Sequence, residues 1–342
     1  LFRSETFSLL AKYGELNNYV TNLRYGNKKN DIAYSASAAL FGTNGPRGRN
    51  GMERISNLNG NVDWKIGRKL QLDAGYTYIY GHRELVKIEE PGSSNMMNRQ
   101  EKFDPIHTLL TYVKLDYQGD DGSLTELQSN LAYRDADYSS YDIVQQTTSK
   151  HRDMDYEFGM NLLHSRSLTE TNTLRAGVLY NHWIAPDGKR YYAGRSCNIH
   201  TLSGVIASEQ KAGKFLFDGG VRLISGYIVE WGGFGIEGSS AGFQNVEPLK
   251  DQVSPLEWQA VLGASYVISG PASLHYNLSS GTIAPRRGSL NEEGIRPGLE
   301  TRFQHDLGFR YRSQNRNEMM ISTFYNKRRD AIELSGETIT NE

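Results

Sequence analysis

The feature that most constrains this chain is an apolar–polar alternation of period two, interrupted by connections that are alternately short and long. Between residues 53 and 66, Leu58, Val62, Trp64 and Ile66 fall on one parity, and Asn57, Asn59, Asn61, Asp63 and Lys65 on the other. After a Gly67-Arg68 turn the pattern resumes. Leu70, Leu72, Ala74, Tyr76, Tyr78 and Tyr80 oppose Gln71, Asp73, Gly75 and Thr77. Successive side chains of a strand point to opposite faces, so each segment reads as a strand with one greasy and one polar face, and the pair as a hairpin. Lys214–Trp231 and Pro255–Ile268 repeat the pattern.

Read this way, the chain holds about fifteen strands. Their expected spans are 5–14, 17–26, 31–41, 53–66, 69–82, 105–118, 123–136, 153–166, 172–184, 197–209, 214–231, 255–268, 273–284, 302–312 and 317–333. Short connections fall at Asn27–Asn30, Gly67-Arg68, Gly119–Gly122, Ser167–Thr171, Gln210–Gly213, Ser269–Ala272 and Ser313–Arg316. Between them lie Gly42–Met52, Arg83–Asp104, Asp137–Arg152, Ala185–Ser196, Gly232–Ser254 and Pro285–Thr301. A soluble sandwich or propeller has no reason to gather every long loop at one end. An outer-membrane barrel does, with short turns on one side and long loops on the other. The expected fold is all-β: an antiparallel transmembrane barrel meander whose neighbours in sequence pair in space. Trp64 near a short turn and Tyr76, Tyr78 and Tyr80 near the opposite end stand where such a barrel carries its interfacial aromatics.

Composition supports this and excludes other classes. With 21 Tyr and 11% aromatics the chain is not disordered, although only 38% is hydrophobic. Abundant Gly, Tyr, Ser and Asn argue against a helical bundle. No apolar run is long enough for a transmembrane helix. A net charge of -1 gives no basic excess for nucleic acid. Cys197 is the single cysteine, so neither an internal disulfide nor a cysteine metal cluster is available.

Two stretches carry a resemblance. The opening "ETFSLLAKYGELNNYVTNLRYGNKKNDIAYSASAALFGTNG", with Tyr13-Gly14, Asn30-Asp31 and Tyr34, resembles the first three barrel strands of TonB-dependent outer-membrane receptors. The stretch "LSSGTIAPRRGSLNEEGIRPGLETRFQHDLGFRYR" resembles a late barrel segment of the same family. There a strand ends in an Ala-Pro pair, a loop follows, and the next strand carries Gly and aromatics. Here those residues are Gly281, Ala284, Pro285, Gly298, Leu299, Glu300, Gly308, Phe309 and Tyr311. The family barrel has roughly 22 strands, so about fifteen here imply residues 1–342 as a single partial barrel domain, with the plug domain and the last strands outside the sequence. The absence of a TonB box, a signal peptide and a terminal aromatic is read the same way.

No zinc motif is present, as there is no H-E-x-x-H, and the one G-x-S-x-G string, Gly238–Gly242, stands within a glycine-rich run. No catalytic residue, metal ligand or cofactor is expected, and His82, His107, His164 and His182 are read as structural. The glycine-rich Gly232–Gly242 lacks the Lys-Ser/Thr of a phosphate loop and reads as an external loop. Ligand-binding candidates lie in the long loops. Lys189, Arg190 and Arg195 supply cations and Tyr191 and Tyr192 flat amphipathic surface, a mix that suits an anionic aromatic ligand such as a ferric catecholate. It equally suits pairing with neighbouring loops or lipopolysaccharide phosphates. Arg286 and Arg287, after the thirteenth strand, form a second candidate.

The resemblance implies a receptor of the Gram-negative outer membrane. It would take up a ferric siderophore, cobalamin or an oligosaccharide, coupled to TonB through a plug and TonB box, with outer-membrane lipid and lipopolysaccharide as surroundings. The alternatives are a passive porin-like channel and an outer-membrane barrel enzyme such as a phospholipase or protease.

Overall fold

A computed structural model describes residues 5–46, 48–85, 99–186, 196–231, 248–285, 287, 290, 294–312, 318–335 and 338–341. The strands are β1 (Thr6–Tyr13), β2 (Tyr19–Lys29), β3 (Ile32–Thr43), β4 (Glu53–Ile66), β5 (Leu70–Glu84), β6 (Arg99–Gln118), β7 (Leu124–Asp142), β8 (Thr147–Thr169) and β9 (Asn172–Ala185). They continue with β10 (Cys197–Ala212), β11 (Phe215–Trp231), β12 (Leu249–Val253), β13 (Glu257–Ser269), β14 (Ala272–Ile283), β15 (Glu300–Arg312), β16 (Glu318–Arg329), β17 (Ile332–Ser335) and β18 (Thr338–Asn341). The only helical element among the described residues is a single 3-10 turn at Glu15–Asn17. Strands β1 to β16 form one sheet in sequence order, with β12 off the main path against β11, while β17 and β18 pair with each other. Every expected span but 317–333 corresponds to a single strand, and the meander is as the alternation requires. Among the described residues β1 pairs only with β2, and β16 only with β15.

Tight turns set the hairpins. Asn30, Gly67, Gly122 and Gly213 take positive φ of 53°, 72°, 77° and 60°. This is the left-handed region that Gly and Asn enter at least cost, and it matches the right-handed twist of the flanking strands.

The structure departs from expectation in four places, the first being that β6 starts at Arg99, inside the expected connection Arg83–Asp104. Asp137–Arg152 is not a long loop, because β7 runs on to Asp142 and β8 starts at Thr147. Both faces of this projection carry polar groups, so no apolar parity marks it. It is held instead by cross-strand pairs such as Arg152 with Asp135 and the Tyr138 and His151 rings, 4.5 Å apart. Within Gly232–Ser254 a short strand, β12, forms. And the expected strand 317–333 breaks after Arg329, where Asp330 takes a φ of 53°.

The chain divides into two compact units. The first comprises Leu1–Tyr117, Gln128–Gly159 and Trp183–Ser196. In it the two faces of β3–β6 are chemically sorted. Trp64, Leu72 and Leu115 lie in one transverse row, and Asp63, Asp73 and Lys114 in the neighbouring row on the other face. The polar face is laced by side-chain bonds: Thr77 Oγ1 donates to Asn59 Oδ1 at 2.8 Å, and Asn59 Nδ2 to Ser37 Oγ at 3.2 Å. The second unit comprises Gln118–Leu127, Met160–His182 and Cys197–Glu342. Its apolar face is equally plain: Phe215, Tyr266, Leu274, Phe309 and Ile321 form a single row across β11–β16.

Candidate functional site

The polar face of the second unit is ordered by charge. Register places Arg222, Gln259, Gly281, Arg302 and Arg328 in one transverse row across β11, β13, β14, β15 and β16. Two residues nearer the short turns, about 7 Å away, the row is Gly220, Val261, Ser279, Gln304 and Asn326. Two further on it is Asp218, Gly263, Asn277, Asp306 and Phe324, with Glu209 of β10 opposite Asp218. Cations, amides and carboxylates thus follow one another along the strands. The guanidinium row lies at the long-connection ends of β14, β15 and β16. The carboxylate row lies about 13 Å from it, towards the short turns.

Small residues open this face. Gly281 stands between Gln259 and Arg302, and a Cβ there would lie 2.7 Å from the Trp258 carbonyl oxygen. The result is a cavity of about 380 Å³ lined by Gln259, Ser279, Arg302, Gln304, Asn326 and Arg328 among others. The three arginines differ in how they are held. Arg302 donates from Nε to the carboxylate of Glu300, which is 1% exposed. Arg222 donates to Ser203 Oγ at 3.1 Å, and Ser203 is 2% exposed. Arg328 is exposed, and no carboxylate pairs with it among the described residues. Guanidinium forks match carboxylate and phosphate geometry, while the amides of Gln259, Gln304 and Asn326 offer both donors and acceptors. The arrangement can therefore hold an oxyanion that carries hydroxyl or amide groups. Among the described residues no group of three or more His, Cys, Asp or Glu could hold a metal ion.

Of the residues expected from sequence, Lys189, Arg190, Tyr191, Tyr192, Arg195 and Arg286 lie outside the described residues. Arg287 is described. Its guanidinium carbon stands 5.6 Å from the ring centroid of Trp231, the last residue of β11. This is a cation–π contact between segments 56 positions apart (287 − 231). Sequence reasoning missed the Arg222, Arg302 and Arg328 row. Each lies on the polar parity of its strand, and that parity was the available signal, but nothing in it says which strand positions meet.

Several solved structures share this fold. The FrpB iron transporter of Neisseria meningitidis (F3-3 variant) superposes with a TM-score of 0.72 at 11% identity, over 100% of this chain and 57% of that one. The alcaligin outer-membrane receptor FauA of Bordetella pertussis gives 0.69 at 11%, over 97% and 53%. The copper transporter OprC gives 0.71 at 10%, over 99% and 56%. The fold is that of the TonB-dependent outer-membrane receptor barrels. The chain spans little more than half the length of these receptors. The sequence itself matches no protein-family model and no curated protein sequence. In the receptor-barrel fold apolar rows face lipid and polar rows face the lumen.

Proposed function

We propose that residues 1–342 form a partial β-barrel domain of an energy-coupled receptor in the outer membrane of a Gram-negative bacterium. Its cargo is a scarce anionic nutrient, with a ferric siderophore the leading class ahead of cobalamin or an oligosaccharide. The observation that carries this reading is the row Arg222, Arg302 and Arg328, set beside the amides of Gln304 and Asn326 on the polar face. A ferric chelate with net negative charge gains charge-assisted bonds there. The carboxylate row beyond repels it and holds it on the loop side. A neutral oligosaccharide would have no use for three guanidiniums. Likeness to receptors whose names declare iron, alcaligin and copper as cargo supports transport rather than catalysis. Lys189, Arg190, Tyr191, Tyr192, Arg195, Arg286 and Arg287 would add the same cationic, aromatic chemistry from the long connections. Coupling would run through a plug and TonB box outside these residues, with lipid and lipopolysaccharide around the apolar face.

The test is uptake of radiolabelled ferric catecholate by cells that carry the full-length gene. Arg302→Gln/Arg328→Gln should raise the half-saturating concentration at least about tenfold, the equivalent of one lost charged hydrogen bond, without changing surface abundance. A protonophore should stop uptake. Transport that persists in its presence would favour a passive porin-like channel, and a hydrolase activity of the intact protein would favour a barrel enzyme.

A further inference from the structure

We propose that the polar face of β8–β11 carries a second site, beside the arginine–amide cavity and bordered by the same Arg222 that begins its row, for an amphiphilic anion: a compact apolar body ending in a carboxylate or phosphate. The site is a cavity of about 630 Å³. Small residues create it. A Cβ at Gly177 would meet Leu163 Cδ2 at 2.2 Å, and one at Gly220 would lie 3.0 Å from the Cβ of Ala207. The missing side chains leave a depression walled by Leu163, Leu179 and Val205.

Two cations border this apolar floor, Arg175 of β9 and Arg222 of β11, while Glu126 of β7 and His164 of β8 complete the charged and titratable lining at the other side, so the site carries two guanidiniums against one carboxylate. Arg222 points one Nη at Ser203, and its Nε is buried without an acceptor. Arg175 is exposed, and no carboxylate pairs with it among the described residues. An oxyanion seated between the two guanidiniums meets both needs at once. A buried Nε–H without a partner has lost its water and gained nothing for it, so an acceptor delivered there has a large effect. The volume lies within the 300–1,000 Å³ range of small-molecule sites, which pair apolar walls with a few placed polar groups. This chemistry differs from that of the first cavity. A ligand polar all round gains nothing from Leu163, Leu179 and Val205, and a neutral apolar one leaves both arginines unanswered.

The experiment is isothermal titration of the full-length protein in detergent with 1-naphthyl phosphate, 1-naphthol and inorganic phosphate, each corrected for empty micelles. Naphthyl phosphate should bind at one saturable site, at least about tenfold tighter than either of the others. Arg175→Gln and Arg222→Gln should each weaken it about tenfold, on the scale of a charged hydrogen bond. Arg175→Lys should retain most of the affinity, and Arg302→Gln/Arg328→Gln should leave it unchanged. Compact migration on an unheated gel shows that each variant is folded. Equal binding of naphthol and naphthyl phosphate, loss of binding only in the Arg302/Arg328 variant, or no saturable binding to folded wild type would each overturn the assignment.

Discussion

Gly226 and Ser254 hold each other twice: the Gly226 N–H donates to Ser254 Oγ at 2.7 Å, and the Ser254 N–H donates to the Gly226 carbonyl at 2.7 Å. They sit where β11 changes partner. Phe215–Ile224 of β11 pair with β13, and Tyr227–Trp231 pair with β12. Pro255 follows at once and has no N–H to give a ladder. The serine hydroxyl thus replaces a backbone acceptor where the sheet is interrupted.

Ser254→Ala should therefore cost about 1–3 kcal/mol, because the Gly226 N–H is buried and loses its acceptor. Gly226→Ala should also destabilise, since its Cβ would stand 2.9 Å from Ser254 Oγ and 3.3 Å from the His200 carbonyl. Urea unfolding in detergent, followed by tryptophan fluorescence, measures both. An unchanged midpoint for Ser254→Ala would mean that water replaces the hydroxyl.

The two faces of β5 should respond unequally to charge. Leu72 lies between Trp64 and Leu115 on the apolar face, and Asp73 between Asp63 and Lys114 on the other. Leu72→Arg should cost roughly 2–4 kcal/mol of insertion into lipid if it sits near the midplane, and less towards the interface. Asp73→Asn should be mild. Folding yield into lipid vesicles reads the difference, and equal penalties would show that the faces are assigned the wrong way round.

Acid should loosen the tip of the β7–β8 hairpin. A barrel strand crosses lipid in about 9–11 residues, so Asp135 and Arg152, farther than that from the short turns, stand outside it. Arg152 donates from Nε and Nη2 to the two Asp135 oxygens, both at 2.6 Å, and Tyr133 adds a 2.9 Å bond. The Arg152 bonds hold the Asp135 carboxyl below its ordinary range. A lowered carboxylate pKa stabilises above the unfolded value of about 3.9, and that contribution is lost as pH falls through the lowered value. Hydrogen-exchange protection at residues 136–151 should accordingly drop below about pH 4. In Arg152→Ala it should already be lower at neutral pH and change less in acid. The same acid response in both proteins would place the switch elsewhere.

Glu300→Gln should strengthen anion binding while it weakens the fold. The buried carboxylate occupies Arg302, so its removal frees that guanidinium for a ligand. Affinity for pyrophosphate, titrated at low salt, should rise about threefold to tenfold, and thermal stability should fall. A drop in affinity would mean that Glu300 serves to position Arg302 rather than to compete for it.

Much of this protein is legible in the chain. Period-two parity placed Leu72 and Asp73 on opposite faces, located β4 at Glu53–Ile66 to the residue, and put the hairpins at Gly67, Gly122 and Gly213. These are local properties, fixed by backbone geometry and by which side chains tolerate water. Parity failed at Asp137–Arg152, where a hairpin with two polar faces leaves no contrast to detect. Tertiary structure decided what meets across strands. Arg222, Gln259, Arg302 and Arg328 share a row only because each turn and each irregularity between neighbours, such as the register shift between Val267 and Ser269, sets the offset of the next strand. A change of one residue at any of them would turn the following strand's polar parity to the other face, and a change of two would slide its arginine out of the row. The sequence therefore determined the faces of each strand. The accumulated register, a sum over pairings that no local pattern encodes, decided that three of its arginines share a row.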